Sequence, residues 1–242
     1  MKLSIIIPTY NEKKNIGILI PTIEKEFSKK YKGSFEVIVV DDDSPDGTGE
    51  CALSLNKKYG NVRLISRNKK GGIGSALKEG YDNALGDLII STDADLSFDV
   101  KDMPRLISKT EEGYDLVVGS RHLSRSDYEK PNFKSKIKGF ISRYGNILVR
   151  KISGVDINDF SANFRIIRKE VWRRLNLKDN TNSVLMEMIL KTKYKGYKVA
   201  EMRVKFIDRI YGESKLNLAK EMPKFFLKLI YHTVRCRILG AD

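Results

Sequence analysis

Five short, largely aliphatic runs, each closed by a polar or turn-forming cluster, constrain the fold of this chain more than any other feature. They are Leu3–Pro8, Phe35–Val40, Val62–Ser66, Asp87–Thr92 and Asp115–Gly119. A strand with one wet face alternates apolar and polar residues, whereas a run that is apolar at nearly every position belongs to a strand covered on both faces. Between the runs lie stretches of helical periodicity. Lys14–Tyr31 carries Ile16, Leu19, Ile20, Ile23 and Phe27 on one side, and Gly49–Tyr59, Ile73–Ala84 and Met103–Glu111 follow. Strands alternating with such helices predict an α/β protein: a Rossmann-like, mostly parallel sheet with helices on both faces.

Past Arg121 the pattern loosens. Lys134–Ile152 and Ser183–Tyr194 read as helices, Phe164–Ile167 as a short strand, and Lys198–Ile207 as a strand with one exposed face. In Leu216–Ile238 the residues Leu218, Met222, Phe225, Phe226, Leu229, Ile230 and Val234 form one stripe, and Lys220, Lys224, Lys228 and Arg235 occupy another. This is a basic amphipathic helix, a shape suited to an anionic bilayer surface. The same stripe would equally serve as a core face against the sheet. Pro223 points to a kink or a late helix start.

The chain has 242 residues, enough for one large domain or a domain with an appendage, and no apolar run reaches transmembrane length. The start, Met1-Lys2-Leu3-Ser4-Ile5, reads as a first strand and not as a signal peptide, so a cytoplasmic location is the expectation. Cys51 and Cys236 are far apart without metal-type spacing and are expected as reduced thiols; His122 and His232 are isolated, which leaves little for a zinc site or a Ser-His-Asp triad. The formal net charge of +14 favours anionic partners. Arg121–Lys151 holds nine Lys/Arg against Asp127 and Glu129, and Lys215–Arg237 has Glu221 as its only acid.

Four clusters fall at the ends of strands or in loops beyond them, where ligands bind in open α/β sheets. In Pro8-Thr9-Tyr10-Asn11-Glu12, Pro8 stops the strand, Tyr10 offers a face for a base, and Glu12 can accept from base or ribose. The acids of Asp41-Asp42-Asp43-Ser44-Pro45-Asp46-Gly47-Thr48 need hydrogen-bond donors or a cation to stand side by side, and a carboxylate there can take the N–H groups of a base. Asp93-Ala94-Asp95 places two carboxylates where one hard cation, Mg²⁺ or Mn²⁺, can bridge a diphosphate, although such a pair alone also ends strands as a turn former. Arg209-Ile210-Tyr211-Gly212-Glu213-Ser214-Lys215 supplies fixed positive charge through Arg209 and Lys215, and Arg121 is a further phosphate candidate. Neither a Walker A pattern nor Gly-x-Gly-x-x-Gly occurs; Gly71-Gly72-Ile73-Gly74 has a different spacing.

These segments, together with Ser4–Glu12, Val39–Thr48 and Gly119-Ser120-Arg121, resemble family 2 glycosyltransferases of GT-A fold, and within them the dolichyl-phosphate β-D-mannosyltransferases. The resemblance implies inverting transfer of mannose from GDP-mannose to a dolichyl or polyprenyl phosphate. It implies a catalytic domain over residues 1–215 and, over 216–242, the amphipathic helix as a membrane-surface contact. Carried over position by position, Pro8, Tyr10, Glu12, Val40 and Asp42 line the nucleotide; Asp93, Ala94 and Asp95 hold the metal and diphosphate; Arg121, Arg209 and Lys215 hold phosphate charge; Asp95, Arg209 and Lys215 are the expected catalytic residues. Ser97 stands where many relatives have a glutamine that contacts the metal and is expected with Asp93 and Asp95 as a metal residue, and Asp159-Phe160-Ser161-Ala162-Asn163-Phe164-Arg165 has Asn163 where Gly is customary. The chain resembles the compact form of the family, without the transmembrane hairpins of some relatives, which implies as an expectation that the membrane is reached from the cytoplasmic side through an amphipathic surface or a small membrane partner subunit. One alternative keeps the fold and moves glucose or N-acetylglucosamine from a UDP donor. The other class, a nucleic-acid-binding protein, fits the charge but sets a polyphosphate beside an acidic pole, so no nucleic acid is expected as partner.

Overall fold

The computed structural model describes residues 2–29, 31, 33–68, 71–123, 128–129, 133–207 and 218–238. The five aliphatic runs form strands β1 (Leu3–Thr9), β2 (Phe35–Asp41), β3 (Val62–Ser66), β4 (Leu88–Ser91) and β5 (Leu116–Ser120). Every residue of β2, β4 and β5 is buried, as two-sided cover requires. Helices α1 (Lys13–Phe27), α2 (Thr48–Tyr59), α3 (Ile73–Asn83) and α4 (Met103–Glu111) connect them, with α1 ending about one turn before its periodicity suggests.

The sheet has seven strands in the order β3-β2-β1-β4-β7-β5-β8, where β7 is Arg165–Arg168 and β8 is Val199–Arg203. From β1 the chain first moves outward through β2 to β3 and then crosses back to place β4 on the other side of β1. Right-handed crossovers in opposite directions put α1 and α2 on one face and α3 on the other, and the order reverses between β1 and β4. The exception to parallel pairing is β7, which runs antiparallel to both β4 and β5, in a register that sets Ser91 opposite Arg165.

Beyond β5 come β6 (Tyr128–Glu129), α5 (Phe133–Ser153), the single-turn α6 (Lys169–Trp172), α7 (Val184–Tyr194), β9 (Phe206–Ile207) and α8 (Leu218–Ile238). The run Lys198–Ile207, expected as one strand, is two. The Lys205 amide donates to Asp102 Oδ2 at 2.9 Å and turns the chain off β8, after which β9 pairs with β6 in a separate two-stranded sheet. Helix α8 continues through Pro223 and does not begin after it.

The stripe read from α8 is divided. Leu229 is buried, while Ile230 and Val234 lie outward with Leu227 and Tyr231. Lys228, expected among the exposed cations, donates to Asp179 and to Thr181 Oγ1. His232 is not isolated: its ring nitrogens stand 3.8 Å from Asp179 Oδ2 and 3.7 Å from Glu187 Oε1. Both cysteines are free thiols.

Candidate active site

The parallel strands all end at one edge, so residues 10–12, 42–48, 67–68, 71–72, 92–97 and 121 gather there from β1 to β5. Because β7 is antiparallel, the loop that precedes it, residues 158–164, reaches the same edge. Four non-glycine residues among those described have positive φ, and three of them follow these strands: Asn11 (58°), Asp43 (54°) and Leu96 (63°). Such backbone costs of order 1–3 kcal/mol per residue and persists where the surroundings impose it.

The acids after β2 have the donors that the sequence required. Asp41 accepts from Thr9 Oγ1 at 2.8 Å, Ser44 Oγ at 2.6 Å and the Ser44 amide at 2.9 Å. Asp46 braces the turn into α2, accepting from the Thr48 amide at 3.0 Å and from Thr48 Oγ1 and the Lys13 amide. Burial opposes its charge, yet these bonds hold its carboxyl below the usual range. Asp42 Oδ2 accepts from the Gly71 and Gly72 amides at 3.0 and 3.3 Å, and Arg67 Nη1 lies 2.9 Å from its Oδ1. Sequence reading missed Arg67. The signal was a cation one residue past β3, at an edge where strand ends converge.

Of the other nucleotide candidates, Pro8, Tyr10 and Glu12 are half-buried at the end of β1, with Glu12 Oε2 accepting from Asn15 Nδ2 at 2.5 Å. Val40 is wholly buried and packs where Gly80 of α3 passes, so it offers a ligand no side-chain surface.

At the end of β4, beside the β1/β4 switch point, Asp93 is half-buried and Asp95 is 7% exposed. Ser97 donates to Asp95 Oδ1 through both its amide (3.1 Å) and its hydroxyl (2.5 Å), so it orients the second carboxylate. Ala94 between them is buried. Asn163 Nδ2 donates to Asp93 Oδ1 at 3.0 Å. The Ser97 carbonyl accepts from the Ile207 amide, and Phe98 stacks on Phe164 and meets Phe206 edge-on, which closes the base of this loop. Among the described residues no group of three or more His, Cys, Asp or Glu is arranged to hold a metal ion. The donor set at Asp93 and Asp95 is oxygen alone, which suits a hard divalent cation that keeps part of its water and takes substrate phosphates as ligands.

Arg121 lies at this edge, but its fork faces Asp159. Its Nε and Nη2 donate to the two carboxylate oxygens at 2.7 and 2.9 Å, its amide adds a third bond, and Nη2 also reaches Ser161 Oγ. Burial disfavours the Asp159 charge, yet the Arg121 guanidinium holds its carboxyl well below the usual range. Behind the loop, Arg165 is fully buried and donates to the Ala162 and Leu185 carbonyls; burial pulls its pKa down to about 10. Arg209 and Lys215 lie outside the described residues.

Residues 4–175 match the model of Glycosyl transferase family 2. A dolichol-phosphate mannosyltransferase of Pyrococcus furiosus is 39% identical over 218 residues, 89% of this chain and 59% of that protein. The chain thus spans about three fifths of that relative's length. An undecaprenyl-phosphate 4-deoxy-4-formamido-L-arabinose transferase of Yersinia enterocolitica is 30% identical over 236 residues, 97% of this chain and 67% of its own. Among solved structures, glucosyl-3-phosphoglycerate synthase of Mycobacterium tuberculosis with Mn²⁺, UDP and phosphoglyceric acid superposes with a TM-score of 0.68 at 19% identity, covering 96% of this chain and 77% of that one. The same synthase with Mg²⁺ and UDP gives 0.69 at 18%, covering 96% and 78%. At such identity the likeness shows the fold, which is GT-A. With that fold, its strand-end acids and a family match over most of its length, the chain belongs to glycosyl transferase family 2.

Proposed function

We propose that the chain transfers mannose from GDP-mannose to a dolichyl or polyprenyl phosphate, with inversion at the anomeric carbon. The observation that carries the reading is the Asp93/Asp95 pair at the switch point, in a chain 39% identical to a protein named for dolichol-phosphate mannosyl transfer. The base lies near Tyr10, Glu12 and Asp42. Asp93 and Asp95 would hold Mg²⁺ or Mn²⁺, which when bound offsets the diphosphate charge and eases departure of GDP. Ser97 keeps Asp95 aimed. Arg209 and Lys215 carry phosphate charge, and Arg121 orders the loop before β7 through Asp159. The nucleophile is an oxygen of the lipid phosphate, ionised at neutral pH, so no side chain need take a proton. Catalysis then rests on positioning and electrostatics.

The chain works peripherally on the cytoplasmic face of a membrane, through apolar residues exposed on α5 and α8. No helix among the described residues is long and apolar enough to cross a bilayer. A second reading keeps the acceptor and changes the donor to a UDP sugar; the Yersinia relative is named for a different sugar on undecaprenyl phosphate.

The test is transfer of labelled sugar from GDP-mannose, UDP-glucose and UDP-N-acetylglucosamine to a short polyprenyl phosphate with Mn²⁺. Mannose in the lipid phase, lost on chelation, supports the first reading. Transfer from a UDP sugar alone supports the second, and transfer from none of the three to this acceptor counts against both.

A further inference from the structure

The Ser91–Arg165 register of β4 and β7, carried two residues past both strands, sets Asn163 opposite Asp93. Asn163 is 2% exposed, and its Nδ2 donates to Asp93 Oδ1 at 3.0 Å. Its Oδ1 is buried and has no hydrogen-bond partner among the described residues. The loop around it is fixed: Asp159 accepts from the Ser161 and Ala162 amides, and Arg165 holds the Ala162 carbonyl. The side chain is therefore anchored beside the carboxylate with an acceptor left over. An orphaned buried acceptor costs about 1–3 kcal/mol, and in native proteins such a group is met by an ordered water, an ion or a ligand, or is held as strain.

A carboxamide oxygen next to a carboxylate repels a further acceptor and attracts either a cation or a hydroxyl. The cation is favoured here, because Asp93 and Asp95 already offer oxygens to it while the Ser97 hydroxyl is turned toward Asp95. Side-chain amide oxygens are ordinary ligands of hard divalent cations. We propose that Asn163 contributes its Oδ1 as a further protein ligand to the divalent cation held at Asp93 and Asp95. This rests on reading that pair as the cation site. It assigns to the loop before β7 an oxygen that the loop after β4 does not itself supply.

The experiment is Mn²⁺ titration of the full chain, followed by electron paramagnetic resonance, with and without GDP and without acceptor. The variants are Asn163→Gly, Asn163→Asp and Asp95→Ala, each checked for folding by thermal melt. As a ligand, Asn163 loses on the order of tenfold in Mn²⁺ affinity when changed to Gly, by the scale seen for groups around metal sites. Asn163→Asp, which keeps an oxygen and adds charge, binds Mn²⁺ at least as tightly as wild type. If Asn163→Gly binds like wild type, or if Asn163→Asp is as weak as Asn163→Gly, Asn163 acts only as a donor to Asp93 and the proposal falls. If Asp95→Ala also binds like wild type, the cation site itself is misassigned, which separates the two failures. Should Asn163→Gly not fold, Asn163→Asp decides by the sign of its shift.

Discussion

Asp159 has no access to solvent, and its two oxygens accept from the Arg121 fork, the Arg121 amide and the Ser161 and Ala162 amides. Removing one partner of such a buried pair leaves a charge without compensation, so Arg121→Ala should lower the unfolding free energy in urea by about 3–5 kcal/mol. The pH dependence gives a second check. Burial pushes the Asp159 pKa up, but Arg121 overrides it and holds the folded-state value below the ordinary value of about 3.9. Its stabilisation is therefore complete above about pH 5 and fades as pH falls below about 4. Arg121→Ala keeps the amide donors but removes the guanidinium, so the carboxyl takes its proton more readily, and relative to wild type the variant should regain stability as pH falls toward 5. Identical profiles in urea titrations at several pH values would mean that Asp159 is held by its amide donors alone. At Asp95 the expectation concerns activity: Asp95→Ala should abolish transfer in the labelled-sugar assay while the melting temperature stays close to wild type. The acids after β2 announced in the sequence that they needed donors. Which cation answers, Arg67, depends on β3 lying beside β2, and a linear reading does not carry strand order. Asn163 was visible as a departure from a pattern, but its partner follows only from the direction of β7.

Helix α8 is tied to the body of the protein by charge as much as by packing. Lys228 Nζ lies 2.9 and 2.7 Å from the two oxygens of Asp179 and 2.8 Å from Thr181 Oγ1, and Leu229 beside it is buried. The turn that holds Asp179 in turn rests on α3, where Gly74 leaves no room for a side chain: a Cβ there would come within 2.4 Å of the Thr181 carbonyl oxygen. Backbone cannot give way as a flexible side chain can, so Gly74→Ala should destabilise by about 1–3 kcal/mol, measured by urea denaturation. Lys228→Met keeps the stem and removes the charge. It should loosen α8 by about 1–3 kcal/mol, seen as faster amide exchange in 225–236 with β1 and β2 unchanged. Unchanged exchange in α8 would place its anchor elsewhere. The first five strands were legible because cover on both faces makes nearly every residue of the central ones apolar. The orientation of α8 was not, because one stripe of residues fits a core and a membrane equally, and the deciding contact, Asp179, lies 49 residues away from Lys228.

On the scale of the whole molecule, a net charge of +14 and a divided α8 point the same way. With Leu229 turned inward, Leu227 is 71% exposed, and Ile230, Tyr231 and Val234 join it on the outside. On α5, which packs against α8, Tyr144, Ile147 and Leu148 are exposed as well. Apolar side chains exposed together in this number mark interaction surfaces, and interfacial binding combines buried apolar area with attraction of cations to anionic lipid. The two contributions are separable. Leu227→Asp with Ile230→Asp alters only exposed positions, so the melting temperature should stay within a degree or two of wild type. Binding to liposomes rich in anionic lipid should fall at least tenfold, since two apolar contacts are lost and two repelling charges gained at about 1 kcal/mol each. Raising salt from about 0.1 M to about 1 M, which shortens the Debye length from about 10 Å to about 3 Å, should weaken wild-type binding without abolishing it. Complete loss of binding at high salt would assign the contact to charge alone, and unaffected binding by the double variant would remove α8 from the membrane surface. The intermediate outcome is expected, because a site for the proposed lipid-phosphate acceptor would meet the headgroups and the acyl boundary together.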